Sequence, residues 1–157
     1  MEMNEKIIAL IPARGDLLGT QKRNLSLIDG IPLIKFTIDY AKSCKEISRV
    51  IVLTNDSEIA HFSMQCGAEV PFLMPDNLTG NIRIKDVLAQ YIEEIRKKEN
   101  YSPDIVVFLE ATHPFRENNW IEKMIQIMKE NNLDHVFTSK TEKDNFWRIN
   151  EKGEIAF

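Results

Sequence analysis

The sequence has no long hydrophobic run, since its longest stretch without Asp, Glu, Lys or Arg covers only residues 59–68. A membrane-spanning helix needs about 18 or more apolar residues, so we expect no membrane partner. A basic excess is also missing, because 20 Lys and Arg stand against 24 Asp and Glu for a formal net charge of −4. Domains that hold nucleic acid mainly by charge carry a basic surplus. We therefore expect no nucleic-acid partner, although a local basic cluster could still meet an acidic small molecule.

Cysteine is scarce as well. Only Cys44 and Cys66 are present, and neither lies in a CxxC or Cys/His spacing. Each ends an apolar helical pattern, which predicts reduced, buried thiols that pack as small hydrophobes. No HExxH, DxD or EF-hand spacing occurs, so the residues alone indicate no metal site. The N-terminus reaches charged Arg14 after a brief apolar run and offers no small-residue cleavage site, which predicts a cytoplasmic protein.

The composition is typical of a soluble globular domain, with 43% hydrophobic and 28% charged residues. No Pro/Gly/Ser-rich linker divides the chain, so we expect a single domain over residues 1–157. The chain ends on apolar residues 155–157 in the middle of a strand pattern. We therefore expect it to be the first part of a larger fold.

Short apolar runs rich in β-branched residues alternate with longer stretches of helical period, which predicts a βαβα order. Near-continuous apolar strands separated by helices indicate a parallel sheet covered on both faces. Residues 145–157 predict a further strand, a turn at 152–153 and the beginning of another strand. The main predicted strands are residues 6–12, 49–54, 69–73, 104–109 and 135–139.

Four helices are predicted among these strands, at residues 32–43, 57–66, 82–98 and 118–131. The first follows a turn at Asp29-Gly30 and has Pro32 at its first helical position. Asp56 is expected to cap the second helix by accepting the free amides of its first turn. Gly67 is expected to end that helix.

The segment after the first strand, residues 13–24, is the most informative for function. Ligands of an open parallel sheet bind beyond the carboxyl ends of its strands, and this segment places Arg14, Lys22 and Arg23 around two glycines. A glycine-bearing loop exposes backbone amides, and the cations can neutralise a polyphosphate. Neither GxGxxG nor GxxxxGK(S/T) is present, which excludes the standard dinucleotide and P-loop sites. The residues alone support an anion-binding loop and a solvated basic loop equally.

Residues 110–116 follow a later strand and place a carboxylate, a hydroxyl, an imidazole and a guanidinium close together. His113 could act as a general acid or base. Neither a Ser or Cys nucleophile nor a carboxylate partner can be assigned to it from the sequence, so a structural or substrate-lining role is favoured. His61 lies inside a predicted helix and His135 begins a predicted strand, so we expect packing or surface roles for both.

These two segments together resemble a known family. IPARG at residues 11–15, Gly19 and KRN at 22–24 resemble the N-terminal signature of the acylneuraminate cytidylyltransferases, the CMP-sialic acid synthetases and their relatives for other nonulosonic acids. The similarity continues through residues 29–33, 49–56 and 111–116. These elements span nearly the whole chain in the family's order, and they agree with the βαβ order indicated by the apolar runs.

The resemblance implies a Rossmann-like, three-layer α/β/α nucleotidyltransferase fold with a mainly parallel sheet, here lacking its C-terminal part. It also implies transfer of CMP from CTP to a nine-carbon nonulosonic sugar acid, with pyrophosphate leaving and Mg²⁺ assisting. CTP and the sugar acid are then the expected partners, and a homodimer is left open. The protein's task in such a step is mainly positioning and charge stabilisation.

By position, the resemblance assigns catalytic contacts with the triphosphate to Arg14 and Arg23. The loop from Gly15 to Gly19 would supply backbone amides, and Asn24 would help to hold the nucleotide. The loop at residues 110–112 would face the base or the ribose. The full nucleotide-binding set, with no metal ligand, is Ala13, Arg14, Gly15, Gly19, Lys22, Arg23, Asn24, Glu110 and Thr112.

Several positions depart from the family's pattern. Residues 16–19 read DLLG where the family usually has Gly-Ser-Lys-Gly, so a hydroxyl and a lysine are lost and a carboxylate is added. Met74-Pro75 and Glu110-Ala111 stand where the family has Arg-Pro and Gln-Pro. The metal-binding carboxylates of the family's C-terminal third have no counterpart before Phe157.

These departures leave two alternatives open. One is a related transferase that uses another nucleotide or sugar, and the other is a non-catalytic module that binds a nucleotide or a partner. The departures also lead us to expect that residues 1–157 bind nucleotide without turning it over at a useful rate, because magnesium must be held to stabilise the leaving pyrophosphate.

Overall fold

A computed structural model describes residues 5–17, 20–21, 23–75, 83–139, 148–149 and 155–156. Backbone proximity groups the chain into two compact units, Met1–Lys123 and Met124–Phe157. The expectation of one domain over residues 1–157 stays a prediction. Within the described ranges, no helix is long and apolar enough to cross a membrane.

The described residues form strands and helices, together with a 3-10 turn at Arg23–Leu25. The helices are α1 (Leu33–Ser43), α2 (Ser57–Gln65), α3 (Ile84–Glu99) and α4 (Trp120–Glu130). The strands are β1 (Ile7–Pro12), β2 (Asp16–Leu17), β3 (Thr20–Gln21), β4 (Leu27–Ile28), β5 (Ile31–Pro32), β6 (Ile47–Leu53), β7 (Ile105–Phe108), β8 (Arg148–Ile149) and β9 (Ile155–Ala156).

The three longest strands form a parallel sheet in the order β6-β1-β7. The central strand is β1, in which Ile8 lies opposite Arg49 on one side and Val106 on the other. Residues 7–11 of this strand are all buried, so both of its faces need apolar side chains. The parallel sheet predicted from continuous apolar runs is therefore confirmed. The ends of these three strands lie within two residues of the predicted ends.

Helices cover both faces of this sheet. Side chains alternate along a strand, so Ile8 and Leu10 face one side, where α3 packs. The other β1 side chains are buried on the opposite side, and α1 packs against β1 and β6. This helix-sheet-helix layering agrees with the predicted three-layer fold. The buried cluster on the α3 side consists of Ile8, Leu10, Ile51, Leu53, Met74, Val87, Tyr91 and Ile95.

The ends of α2 agree with the local sequence signals. Asp56 Oδ1 accepts the backbone N–H groups of Glu58 at 2.8 Å and of Ile59 at 3.0 Å, which confirms the predicted cap. Gly67 follows the helix with a φ of 83°, a left-handed conformation that glycine adopts readily. Both signals act within one turn of the chain, which is why the sequence alone reveals them.

The start of α1 differs from the prediction. Asp29-Gly30 forms the expected turn and joins β4 to β5, with φ values of 50° and 77°. Pro32, however, belongs to β5, where it pairs with Leu27 of β4 and has an extended ψ of 136°. Helix α1 therefore begins at Leu33. The hairpin therefore holds Pro32 in extended geometry and places the helix start one residue later.

The strand predicted at 69–73 is wrong, because a single bridge at Glu69 stands in its place. Only Glu69 bridges to β6, donating its N–H to Val50 at 2.7 Å and accepting from the N–H of Val52 at 2.9 Å. The next donor of a parallel ladder would be residue 71, which is Pro71 and has no N–H. The ladder therefore ends after one bridge.

The predicted strand at 135–139 is also wrong, because the structure has no strand there. Phe137 is 78% exposed, which a buried apolar strand would not allow. Residues of high β propensity form a strand only where a neighbouring strand and a buried face receive them. In the same unit β8 and β9 pair antiparallel, which confirms the two strands predicted in 145–157. The turn predicted at 152–153 lies outside the described residues.

Both cysteines are free thiols. Cys44 is buried as predicted, and burial raises the pKa of its thiol to about 12. Cys66 is only half-buried, because it lies at the exposed C-terminal end of α2, where its carbonyl accepts a hydrogen bond from Lys42 at 2.9 Å. His61 and His135 are both exposed, which agrees with the surface role predicted for them.

Tyr91 places a polar group inside the core. The residue is 1% exposed, and its ring stacks on Phe72 with 4.4 Å between the ring centroids. Among the described residues its hydroxyl is buried without a hydrogen-bond partner. Burial raises the pKa of this phenol above its ordinary value, at which a tyrosine is already neutral at pH 7. An unpaired buried hydroxyl still lowers stability, because it has lost its hydrogen bonds to water.

Tyr91→Phe removes this hydroxyl and keeps the ring, so we expect the free energy of unfolding to rise by about 1 kcal/mol. Tyr40→Phe is the matched control, because Tyr40 donates its hydroxyl hydrogen to the carbonyl of Glu117 at 2.9 Å. We expect this control to lower the free energy of unfolding by about 0.5–1 kcal/mol. Urea unfolding followed by circular dichroism measures both, and a loss of stability in Tyr91→Phe would contradict the assignment of an unpaired hydroxyl.

Candidate functional site

The carboxyl ends of β1, β6 and β7 lie at one edge of the sheet because the three strands are parallel. Hydrogen bonding continues just past the strands, from Ala13 N to Leu53 O at 2.8 Å and from Leu109 N to Leu10 O at 3.0 Å. The segments that follow therefore leave the sheet side by side. They are residues 14–15, 54–56 and 110–116.

Two asparagines hold the peptide group between Arg14 and Gly15. Asn24 Nδ2 donates to the Arg14 carbonyl at 2.9 Å, and the Gly15 N–H donates to Asn55 Oδ1 at 3.1 Å. The C=O and N–H of a trans peptide point to opposite sides, so the two side chains hold this peptide from both sides. We name this pair of hydrogen bonds the asparagine clamp.

Gly15 is buried and closely packed against Asp56. A Cβ atom at Gly15 would lie 2.7 Å from both Cβ and Oδ2 of Asp56. Asp56 has little freedom to move away, because its N–H donates to Thr54 Oγ1 at 3.1 Å and its Oδ1 caps α2. The site therefore requires glycine at position 15 because of close approach, without any unusual φ.

The segment after β7 brings an acid and an imidazole together. Glu110 Oε2 lies 3.1 Å from His113 Nδ1, and Thr112 Oγ1 lies 3.3 Å from the same nitrogen. This is the carboxylate partner that the sequence could not assign to His113, and both residues are exposed. An imidazole held at Nδ1 by a carboxylate leaves Nε2 able to accept a proton.

Arg116 joins this segment to α1. Its guanidinium donates to the Glu110 carbonyl at 2.6 Å and to Thr37 Oγ1 at 3.1 Å, and it lies 5.6 Å from the centre of the Tyr40 ring. Burial lowers the pKa of Arg116, although nearby Tyr40 and Glu110 oppose this effect. The contacts give Arg116 a supporting part, since its donors are directed at the protein's own acceptors.

The asparagine clamp brings three of the predicted site residues together, namely Arg14, Gly15 and Asn24. Ala13 is buried next to them, and Arg23 begins the 3-10 turn with an exposed side chain. The Gly15 N–H is already paired with Asn55, so this amide is not offered to a ligand. The nucleotide-binding assignment of these residues stays a prediction.

Of the other predicted residues, Glu110 and Thr112 are exposed on the segment after β7. Gly19 and Lys22 lie outside the described residues. The sequence marked Asn55 only as a residue that follows a predicted strand, within the stretch 49–56 that carries the resemblance, and it gave no role to Thr37. The structure places Asn55 in the clamp and Thr37 against Arg116. The available signals are an asparagine directly after a buried strand and a hydroxyl on the apolar face of α1.

The Mg²⁺ implied by the family resemblance does not fit the donors that the described residues supply at this edge. The described chain brings three donors within 4.8 Å of one another only at Cys44, Glu46 and Glu122. Cys44 and Glu46 precede β6 and Glu122 lies in the first turn of α4, and the buried Cys44 thiol stays protonated with a pKa of about 12. Mg²⁺ prefers oxygen ligands in octahedral geometry. No step of a reaction is therefore assigned to a metal held by these residues.

The parallel sheet and its covering helices define a Rossmann-like fold of the nucleotidyltransferase type. A CMP:2-keto-3-deoxy-manno-octonic acid synthetase complexed with CTP superposes with a TM-score of 0.67, over 82% of this chain and 49% of that chain, at 21% identity. A 4-diphosphocytidyl-2C-methyl-D-erythritol synthase from Anaerococcus prevotii superposes with a TM-score of 0.65, over 98% of this chain and 64% of that one, at 16% identity. These likenesses confirm the predicted fold.

The family model described as cytidylyltransferase matches residues 8–152, so the chain belongs to the cytidylyltransferase family. It is 32% identical over 126 residues to CMP-N,N'-diacetyllegionaminic acid synthase of Legionella pneumophila, covering 79% of this chain and 53% of that protein. It is 26% identical over 134 residues to pseudaminic acid cytidylyltransferase of Campylobacter jejuni, covering 85% and 58%. The chain thus spans about half the length of these curated relatives. The family resemblance read from the sequence is confirmed.

Gly15→Ala should lower the free energy of unfolding by about 1–3 kcal/mol, because the added methyl group overlaps Asp56 and overpacking costs about this much. Asp56→Gly alone should cost only about a few tenths of a kcal/mol, since glycine is an acceptable N-cap residue. Asp56→Gly also removes the overlapping side chain, so Gly15→Ala should lose most of its cost in that background.

Thermal unfolding of the parent, the two single variants and the double variant forms a double-mutant cycle. Because the overlap is relieved, the double variant should lose less free energy of unfolding than the sum of the losses in the two single variants. Strictly additive effects would contradict the close contact between Gly15 and Asp56.

Proposed function

We propose that this chain binds CTP at the carboxyl edge of its sheet and serves the transfer of CMP from CTP to a nonulosonic sugar acid. The observation that carries the proposal is the loop after β1, where Arg14 and Gly15 are clamped at that edge in a chain of the cytidylyltransferase family. The relatives named for legionaminic and pseudaminic acids support the choice of sugar acid.

Charge explains why a loop of this kind suits CTP. The protein is acidic overall, with a formal net charge of −4, so the triphosphate needs a local group of cations. Arg14 and Arg23 supply positive charge on the β1 loop and the 3-10 turn that follows it. Guanidinium groups form strong, directional hydrogen bonds with phosphate oxygens. Because the Gly15 amide is occupied, we assign the phosphate contact at this point to the Arg14 side chain.

The proposed reaction is a displacement at the α-phosphorus of CTP. The anomeric hydroxyl oxygen of the sugar acid forms the new bond to phosphorus, its proton is released, and the bond to pyrophosphate breaks. The protein contributes by holding the two anions in line and stabilising the charge that develops on the leaving group. No part of that stabilisation is assigned to Mg²⁺, because the described residues do not supply a set of ligands that fits it.

A second candidate is a nucleotide-binding module without transferase activity. The lack of a fitting magnesium site among the described residues favours it, as does the DLLG sequence at 16–19. The two candidates share CTP binding and differ in pyrophosphate release. Titration with CTP, UTP, ATP and GTP also separates a cytidine-specific site from one that serves another nucleotide.

Arg14→Ala should weaken CTP binding by at least about tenfold, because a charge-assisted hydrogen bond contributes about 1.5–3 kcal/mol. We expect the thermal midpoint to change little, since Arg14 lies on a loop outside the sheet. The matched control is Arg96→Ala in the last turn of α3, which removes the same charge from an exposed side chain. Calorimetric titration and thermal unfolding of each variant measure both effects. Unchanged CTP affinity in Arg14→Ala would overturn the proposed phosphate contact.

For residues 1–157 we expect CTP binding without useful turnover, because magnesium ligands are missing from the described part of the site edge. The assay supplies CTP, Mg²⁺ and N-acetylneuraminic, pseudaminic or legionaminic acid, and measures pyrophosphate release. Robust release would contradict this expectation and indicate that undescribed residues complete the metal site.

A further inference from the structure

The asparagine clamp matches each side chain to one pole of the Arg14–Gly15 peptide. The carbonyl needs a donor and receives Asn24 Nδ2 at 2.9 Å, whereas the N–H needs an acceptor and finds Asn55 Oδ1 at 3.1 Å. If the peptide rotated by half a turn, its N–H would face the Asn24 NH2 group and its carbonyl would face Asn55 Oδ1. Both hydrogen bonds would be lost unless both side-chain amides rotated as well, so the two asparagines together favour the observed direction of this peptide.

Both asparagines are themselves held by ordered parts of the fold. Asn24 is 5% exposed and lies within the 3-10 turn. Asn55 stands between Thr54, which is buried at the end of β6, and Asp56, which caps α2. The clamp therefore connects the loop after β1 to the 3-10 turn through Asn24 and to the segment between β6 and α2 through Asn55.

This connection matters because glycine has more backbone freedom than any other residue. A loop that contains Gly15 and no clamp would sample many directions for the neighbouring Arg14 side chain. Ordering that loop on binding would then reduce affinity, because the ligand would have to supply the lost entropy. A loop that is already fixed avoids this cost.

We propose that Asn24 and Asn55 are positioning residues, which hold Arg14 in the orientation that meets the triphosphate of CTP. They act through the Arg14–Gly15 peptide, so Asn24, which the family resemblance assigns to nucleotide binding, would help to hold the nucleotide indirectly. The inference rests on the proposed nucleotide site, and it adds two residues whose part is to preorganise that site.

The test exploits the opposite polarity of the two hydrogen bonds. Asn55→Asp keeps an acceptor for the Gly15 N–H, whereas Asn24→Asp replaces a donor with an acceptor against the Arg14 carbonyl. Each variant adds one negative charge near Arg14, so the general effect of charge is matched between them. Asn55→Leu is a third variant of similar size that removes the acceptor without adding charge.

Three measurements are made on the full chain of 157 residues. Calorimetric titration with CTP and MgCl2 gives the affinity, thermal unfolding gives the midpoint, and nuclear magnetic resonance gives hydrogen exchange at the Gly15 amide without nucleotide. We expect Asn55→Leu and Asn24→Asp to weaken CTP binding by about tenfold or more, and Asn55→Asp by no more than about threefold. We expect rapid exchange of the Gly15 amide in Asn55→Leu and slow exchange in Asn55→Asp.

The pattern across variants separates positioning from a purely structural role. A structural role would make affinity follow the thermal midpoint in every variant, without rescue by Asn55→Asp. Equal CTP affinity in the parent and Asn55→Leu would overturn the proposal. If Asn24→Asp does not fold, the comparison of Asn55→Asp with Asn55→Leu decides alone.

The same measurements distinguish failure of the inference from failure of the proposed function. A parent chain that binds no CTP while its Gly15 amide exchanges slowly would overturn the proposed function and, with it, the positioning role. A parent chain that binds CTP while its Gly15 amide exchanges rapidly would overturn the positioning role alone.

Discussion

Burial of β1 on both faces is the constraint on which the rest of the structure depends. A strand at the centre of a sheet must carry apolar side chains on both faces and must satisfy its hydrogen bonds on both edges. Here β6 and β7 satisfy the two edges, and both run parallel to β1. Three carboxyl ends therefore lie side by side, and the polar segments that follow them meet there. The position of the candidate site is thus a consequence of how the core is built.

The fold was predictable where a local pattern carries the physical cause. Continuous apolar runs identify β1, β6 and β7, and single residues such as Asp56 and Gly67 identify helix ends. The predictions fail where strand formation depends on a partner. Residues 69–73 have the right side chains, but Pro71 lacks the N–H that a second bridge would require. Residues 135–139 have high β propensity, which is not sufficient to form a strand.

The candidate site was predictable at the level of segments and only partly at the level of contacts. The place of Arg14 and Gly15 after a buried strand, and the family resemblance, both follow from local sequence. The hydrogen bond between Gly15 and Asn55 joins residues 40 positions apart, and that between Thr37 and Arg116 joins residues 79 positions apart. Such pairs depend on how strands and helices are arranged in space, which a single sequence does not encode in any local pattern.

The clamp also distinguishes the charge of the loop after β1 from the direction of its backbone, two properties that cannot be told apart from the sequence alone. The departures from the family at residues 16–18 change the charge and the hydroxyl content near the expected phosphates. The residues that hold the beginning of the loop lie outside that stretch. Asn24 and Asn55 bind the Arg14–Gly15 peptide, and Asp56 packs closely against Gly15. Substitution at 16–18 therefore alters the electrostatic attraction for an anion, while the direction of the Arg14 backbone depends on other residues. The electrostatic attraction for a nucleotide and the direction of the Arg14–Gly15 peptide are then set by different residues, so a substitution at 16–18 changes the attraction and leaves the clamp in place.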